Sequence, residues 1–334
     1  MKPKIFITRQ IPTHVMNQLK EVCDVSIWNE EDTPVPREIL EEKIVDIDGL
    51  YCLLTDTIDE ELLQKAKNLK VISNMAVGFN NIDVDAATKR GIIVTNTPGV
   101  LTETTADLTF ALLMATARRI TEASDFLRSG KWSSWSPMLL TGQDIYNSTM
   151  GIIGLGGIGK ALAKRAQGFN MNVLYHNRSR KLDSEQELGL EYCSLEDLLK
   201  RSDYVCIMTP YTPETKNMIR DEHFKIMKDT SILINTARGG IVNENDLYYA
   251  LKDGEIWAAG LDVFEQEPVD FNHPLLTLPN VVTLPHIGSA SIGTRTKMAE
   301  VVAENMLQAL NGEIPVNIVN KEIVSNKSPI SYFN

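Results

Sequence analysis

The 334-residue chain has little cysteine: Cys23, Cys52, Cys193 and Cys206 are scattered, with no C-x-x-C pair and no metal-ligand spacing. That excludes a disulfide framework, calls for no metal ion, and fits reduced thiols in a cytoplasmic protein. Positive charge is also short, with 33 Lys and Arg against 44 Asp and Glu and a net charge of −11. General nucleic-acid and anionic-membrane binders need basic surface, so neither partner is expected. No apolar run is long enough to span a bilayer. Met1-Lys-Pro-Lys-Ile-Phe-Ile-Thr8 reads as a first strand rather than a signal peptide. Internal repeats and low-complexity tracts are missing too. What remains, 43% hydrophobic and 23% charged, is the composition of an ordinary globular protein, and this length predicts two domains.

One stretch organises the rest. Thr149-Met-Gly-Ile-Ile-Gly-Leu-Gly-Gly-Ile-Gly-Lys160 places Gly154, Gly156 and Gly159 in the spacing G-x-G-x-x-G, between an apolar strand run and a helical run. That context predicts a dinucleotide site: a tight turn at the first glycine, backbone approach to a pyrophosphate at the second, close helix–strand packing at the third. The helix N-terminus adds free N–H groups for the phosphates. About 20 residues on, an NAD site places an acid at the end of the next strand. Here that strand runs into Asn177-Arg178-Ser179-Arg180-Lys181, with no carboxylate before Asp183. An acid would repel a ribose 2′-phosphate, whereas Arg and Ser bind one, so NADPH is expected over NADH.

Residues 1–100 alternate strand and helix, with strands at 5–7, 25–27, 49–54, 71–73 and 92–94. The helices between them include a face of Val15, Met16, Leu19 and Val22 and another of Ile39, Leu40, Ile44 and Ile47. The alternation resumes around the fingerprint, with strands at 172–176, 204–208, 231–235, 258–263 and 281–284, and a helix over 290–310 carries the chain back. The fold class is therefore α/β, with two doubly wound parallel-sheet domains. A flavodoxin-like substrate domain takes 1–100 and 289–334, and a Rossmann NAD(P)-binding domain takes 101–288. The spacing predicts one long buried helix over 102–121. An arm around 122–149, rich in Trp132, Trp135, Pro137 and Leu139, reads as packing on a partner subunit.

Ligands of such sheets sit beyond the carboxyl ends of the strands. In the first domain that position holds Cys52-Leu-Leu-Thr55 and Asn74-Met-Ala-Val-Gly78. The N–H groups of Val77 and Gly78 suit a carboxylate, and the same loop reads equally as a plain strand-to-helix turn. In the second, three strand ends carry complementary groups: Arg238 in Asn235-Thr-Ala-Arg-Gly-Gly240, the acids Asp262, Glu265 and Glu267, and His286. Together they suit reduction of a 2-oxo acid, in which hydride passes from nicotinamide to the carbonyl carbon. His286 donates the proton, Glu267 stabilises the imidazolium, Arg238 clamps the carboxylate, and Asp262 is placed for the nicotinamide amide. The other histidines, His14, His176, His223 and His273, lack such a setting and read as surface or core residues.

Gly154-Leu-Gly-Gly-Ile-Gly159, Asn235-Thr-Ala-Arg-Gly239, Asp262-Val-Phe-Glu-Gln-Glu-Pro268 and Pro285-His-Ile-Gly-Ser-Ala290 resemble the D-isomer-specific 2-hydroxyacid dehydrogenases, and the resemblance covers essentially the whole chain. Ala76-Val-Gly-Phe-Asn-Asn-Ile-Asp83, Gly130-Lys-Trp-Ser-Ser-Trp135 and Asn272-His-Pro-Leu-Leu276 are similar to the glyoxylate/hydroxypyruvate reductases within that family. The resemblance implies catalytic Arg238, Glu267 and His286. It implies a substrate site of Leu54, Val77, Gly78 and Arg238, and a Trp135 that reaches a partner's active site in a homodimer. For the cofactor it implies Thr105, the turn residues Leu155, Gly157 and Ile158 with the three fingerprint glycines, and the loop residues Asn177, Arg178, Ser179 and Arg180. Thr209, Pro210, Thr215, Thr236, Ala237, Asp262, His286 and Gly288 complete that set. The D configuration of the product also comes from the resemblance.

Phosphite dehydrogenases carry lysine where this chain has Val77, and formate dehydrogenases lack the glutamate that Glu267 supplies. A larger acid such as 2-ketogluconate stays open as substrate, and NADH as a second cofactor. NAD(H)-sensing transcriptional corepressors share the fold and the trio, but the acidic charge and the Arg-Ser-Arg loop count against them.

Overall fold

Short β-branched runs buried on both faces become parallel strands, and the amphipathic runs between them become the helices that cover the sheet. The computed structural model describes residues 1–325, and the chain divides into two compact units. Unit 1 is Met1–Leu101 with the segment from Ser291, and unit 2 is Thr102–Ala290. Residues 326–334 of the expected substrate domain lie outside the described residues.

Unit 1 begins β1 (Lys4–Ile7), α1 (Thr13–Val22), β2 (Asp24–Ile27), α2 (Arg37–Lys43), β3 (Gly49–Cys52), α3 (Glu60–Lys65), β4 (Val71–Asn74), α4 (Val84–Lys89), β5 (Ile93–Thr95). Its sheet runs β2-β1-β3-β4-β5 with every pair parallel. This is the flavodoxin-like order, which reverses beside β1. Asp59 and Asp83 cap α3 and α4 by accepting from the Leu62 and Ala86 amides. Two expectations need correction. Val22 is exposed, because α1 buries only Val15, Met16 and Leu19 before the chain turns into β2. The Ile39–Ile47 helix ends at Lys43 and tightens into a 3-10 turn over Ile44–Asp46.

Unit 2 opens with α5 (Thr102–Ala117) and α6 (Ile120–Arg128), then β6 (Thr149–Ile153), α7 (Gly157–Gln167), β7 (Asn172–His176), α8 (Leu182–Leu188) and β8 (Glu191–Tyr192). It continues with α9 (Leu195–Arg201), β9 (Tyr204–Ile207), α10 (Asp221–Phe224), β10 (Ile232–Asn235), α11 (Glu244–Lys252), β11 (Ala258–Leu261) and β12 (Val281–Thr283). The seven strands run β8-β7-β6-β9-β10-β11-β12, all parallel, so the order reverses at β6 as in a Rossmann sheet. The single helix expected over 102–121 is two. Arg119 adopts φ 51°, in the left-handed region, and its guanidinium grips Glu122 through two bonds of 2.7 Å. The arm is helical to Arg128 and irregular beyond, with Trp132, Trp135 and Met138 exposed.

The chain then returns to unit 1 as α12 (Ile292–Leu310) and α13 (Glu322–Ser325). Ala299, Val302, Ala303 and Met306 of α12 share one apolar cluster with Ile5, Ile7, Tyr51 and Val71. No helix among the described residues is long and apolar enough to cross a membrane.

Candidate active site

The glycine-rich turn leaves β6 at the point where the sheet order reverses. Gly154 has φ 103°, and a Cβ there would stand 2.7 Å from the Met208 and Thr209 backbone that leaves β9. A Cβ on Gly159 would stand 2.4 Å from the Gly154 carbonyl, so α7 lies against the turn only because that residue has no side chain. Gly156, the residue before α7, faces open space. The start of α5 lies alongside, with the Thr102 hydroxyl 3.5 Å from the Cβ position of Gly157.

The ends of β10, β11 and β12 hold the reactive groups. His286 has a left-handed backbone, φ 54°, fixed by its N–H donating to the Asp262 carbonyl at 2.9 Å. Its Nδ1 meets Glu267 Oε2 at 2.6 Å, with both side chains about three-quarters buried. The other oxygen, Oε1, accepts from the Phe264 N–H at 3.0 Å. Burial alone would push the Glu267 carboxyl up, but the His286 hydrogen bond and charge, the Phe264 amide and Arg238 together hold it below its ordinary value. Burial pushes the Arg238 guanidinium down, and the Glu267 charge opposes this. Asn235 braces the loop by donating to the Arg238 carbonyl at 2.9 Å and accepting from the Ala237 amide at 3.1 Å.

Asp262 tests whether a nicotinamide fits. It is 1% exposed, and its Oδ1 accepts from the Ile287 amide at 2.8 Å. Oδ2 is buried without a well-formed hydrogen bond, although the neighbouring Gly288 amide offsets part of its charge. Burial holds the carboxyl above its ordinary value. A buried acceptor of this kind costs free energy until a donor reaches it, and a carboxamide is such a donor. With the open backbone at Gly156 and the strand-end helix N-terminus, the residues present fit a nicotinamide dinucleotide.

Residues 110–288 match the family model described as "D-isomer specific 2-hydroxyacid dehydrogenase, NAD binding domain". The chain is 51% identical over 330 residues to the glyoxylate reductase of Korarchaeum cryptofilum, covering 98% of this chain and 99% of the relative. It is 51% identical over 333 residues to that of Pyrococcus horikoshii, covering 98% and 99%. The chain belongs to the D-isomer-specific 2-hydroxyacid dehydrogenases. It is therefore an NAD(P)-dependent oxidoreductase. Among solved structures, this dehydrogenase is similar to an NADPH-dependent glyoxylate/hydroxypyruvate reductase from Sinorhizobium meliloti in complex with NADP and malonate, with a TM-score of 0.84, 31% identity, and coverage of 96% and 98%. A protein from Thermus thermophilus superposes with a TM-score of 0.89 at 44% identity, covering 95% of this chain and 99% of the other.

Other residues singled out in the dehydrogenase sequence are divided between the two units. Thr105 lies against Gly288, with its methyl group 3.4 Å from the Gly288 Cβ position. Thr109 links Thr105 to Thr236, bonding the Thr105 carbonyl at 2.7 Å and the Thr236 hydroxyl at 2.6 Å. Thr215 spends its hydroxyl inside its own loop, donating to the Pro210 carbonyl at 2.8 Å and accepting from the Thr212 amide at 2.7 Å. In unit 1 the Val77 and Gly78 carbonyls are pinned by Asn96 at 2.8 Å and Asn74 at 3.0 Å, while their N–H groups make no hydrogen bond among the described residues. Leu54 is half-buried in the adjoining loop. Trp135 is 77% exposed and makes no hydrogen bond or ring contact among the described residues.

The 177–181 loop differs from its linear reading. Asn177, in the place of the usual acid, accepts from the Leu155 amide at 3.0 Å and so pins the glycine turn. A carboxylate does reach the loop, but from α8: Glu185 pairs with Arg180 at 2.5 Å and also accepts from the Tyr175 hydroxyl. Arg180 further lies 5.6 Å from the centre of the Tyr192 ring, while Arg178 and Ser179 are exposed. His273, expected as a surface or core residue, has an acidic partner. Its Nε2 meets Glu244 Oε2 at 3.2 Å, a pairing between a helix start and a loop that no local motif announces.

Proposed function

We propose that this dehydrogenase uses NADPH to reduce glyoxylate, and also hydroxypyruvate, to glycolate and D-glycerate. The observation that carries the reading is the 2.6 Å contact between His286 and an ionised Glu267 at neighbouring strand ends with Arg238. A nicotinamide bound beside Asp262 supplies the hydride. With Nδ1 held by Glu267, Nε2 is the ring nitrogen left to give a proton to the substrate oxygen. Arg238 holds the substrate carboxylate and polarises the carbonyl. In unit 1 the Val77 and Gly78 amides, with Leu54, are assigned to the binding of a small carboxylate. Two full-length relatives named glyoxylate reductase support the substrate. The exposed Arg178 and Ser179 support a 2′-phosphate on the cofactor, with Arg180 reached by exchange of its Glu185 partner. The exposed Trp132, Trp135 and Met138 support a homodimer joined through the arm. Four free, buried cysteines suit the cytoplasm.

Loss of NADPH absorbance with glyoxylate, hydroxypyruvate and 2-ketogluconate in turn, repeated with NADH, tests this. Fast oxidation of NADPH by either small acid is expected. Preference for 2-ketogluconate would change the substrate, preference for NADH would overturn the cofactor, and tight cofactor binding without turnover would favour a corepressor-like sensor.

A further inference from the structure

The segment that carries Glu267 is held in a way the proton-transfer chemistry does not itself use. Gly239, next to Arg238, lies so close to it that a Cβ would fall 1.8 Å from the Phe264 carbonyl oxygen. From the first turn of α11, Glu244 reaches the same segment: its Oε1 accepts from the Glu265 amide at 2.5 Å, and its Oε2 meets His273. The Glu244 side chain is 14% exposed, and burial pushes its carboxyl up against the pull of the Glu265 amide and His273. His273 lies edge-on to Phe264, with ring centres 6.0 Å apart, and its Nδ1 is buried without a hydrogen-bond partner. The two amides in question are adjacent. Phe264 N–H orients Glu267, and Glu265 N–H is held by Glu244. A mostly buried carboxylate and imidazole are costly to keep unless the geometry they impose is needed.

We infer that Glu244 and His273 form a positioning pair that sets the 264–267 backbone so that Glu267 meets His286; this rests on reading Glu267 and His286 as the proton-transfer pair. Glu244 fixes the Glu265 amide, next in the chain to the Phe264 amide that aims the glutamate.

The test uses the full-length enzyme with NADPH and glyoxylate. His273→Ala and Glu244→Ala are expected to lower kcat about 10- to 100-fold, the scale of a misplacement near 1 Å, with KM and the NADPH Kd within about twofold of wild type. His273→Gln, whose amide nitrogen reaches the Nε2 position, recovers most of kcat. His273→Asn, whose amide is shorter, does not. Unchanged kcat in the alanine variants would overturn the inference, as would equal kcat in the Gln and Asn variants or a loss of kcat that only follows a loss of NADPH binding. Should an alanine variant fail to fold, the Gln–Asn pair decides alone. His286→Ala run in parallel separates the two readings. An inactive His286→Ala beside a wild-type His273 series removes only the positioning role, whereas an active His286→Ala removes both.

Discussion

Replacing Glu267 by Gln keeps an oxygen for the Phe264 amide and another polar atom beside His286, but takes away the negative charge. The contact is 2.6 Å, and less than a third of either side chain is exposed, so solvent screens it only in part. Two unit charges about 4 Å apart at an effective dielectric constant near 20 attract by about 4 kcal/mol, an upper bound here. With its one oxygen on the Phe264 amide, Gln turns an N–H₂ donor toward the Nδ1–H of His286, so the bond to a charged group is lost, a cost of about 1.5–3 kcal/mol. At about 1.36 kcal/mol per tenfold in rate, this is a fall of about 10- to 100-fold. The carboxylate orients His286, the proton donor in reduction. Without it, kcat/KM for glyoxylate reduction should drop by that factor, with the NADPH Kd within about twofold of wild type. Initial rates of NADPH oxidation and NADPH fluorescence titration, wild type against variant, measure this. A variant within about twofold of wild type in kcat/KM would show that Glu267 does not act through His286.

His286→Ala should lower kcat by about 10²–10⁴-fold, the usual share of general acid catalysis, while NADPH fluorescence titration shows cofactor binding nearly unchanged. Replacing Arg178 and Arg180 together should raise KM for NADPH about 10- to 100-fold and leave that for NADH within a few-fold, since one charge-assisted contact to a phosphate is worth about 1.5–3 kcal/mol and Arg180 must first give up Glu185; equal effects on the two cofactors would remove the loop from this role. Glu267 is held below its ordinary value in the folded protein, so its contribution to stability is complete above the usual carboxylate range and is lost as pH falls through its folded value. The Tm gap between wild type and Glu267→Gln should therefore narrow on acidification in calorimetry, and a gap that widens would contradict the assignment. Gly239→Ala places a methyl 1.8 Å from the Phe264 oxygen. It should destabilise unit 2 by about 3 kcal/mol, a fall of roughly 6–12 °C in Tm.

The sequence carried most of the fold because its signals were local. Runs such as Ile232–Asn235 are apolar almost throughout, and the glycine spacing sits between a strand and a helix. It also carried Arg238, Glu267 and His286, since parallel strands bring their carboxyl ends together whatever lies between them. The parts that stayed hidden depend on contacts distant in the chain. Arg119 breaks an otherwise continuous helical run, aided by its grip on Glu122. β8 is two residues on the edge of the sheet, too short for alternation to register. Glu185 neutralises Arg180 from the next helix, and His273 finds Glu244 from a loop well separated from the start of α11. Side-chain partners of this kind have no period and no spacing rule to be read by.

The interruption of unit 1 has a consequence for how the protein is born. Its sheet cannot bury Ile5, Ile7, Tyr51 and Val71 until Ala299, Val302 and Met306 of α12 arrive. On the ribosome the whole of Thr102–Ala290 is made in between, which takes on the order of 10–40 seconds at about 5–20 residues per second. Throughout that interval the first strands wait with an apolar face uncovered, while the segment holding the glycine turn and His286 is complete in itself. The part of the polypeptide made first is thus the last to close, and a nascent chain stalled as Ala290 leaves the ribosomal tunnel should resist protease across its middle and be cut near its beginning.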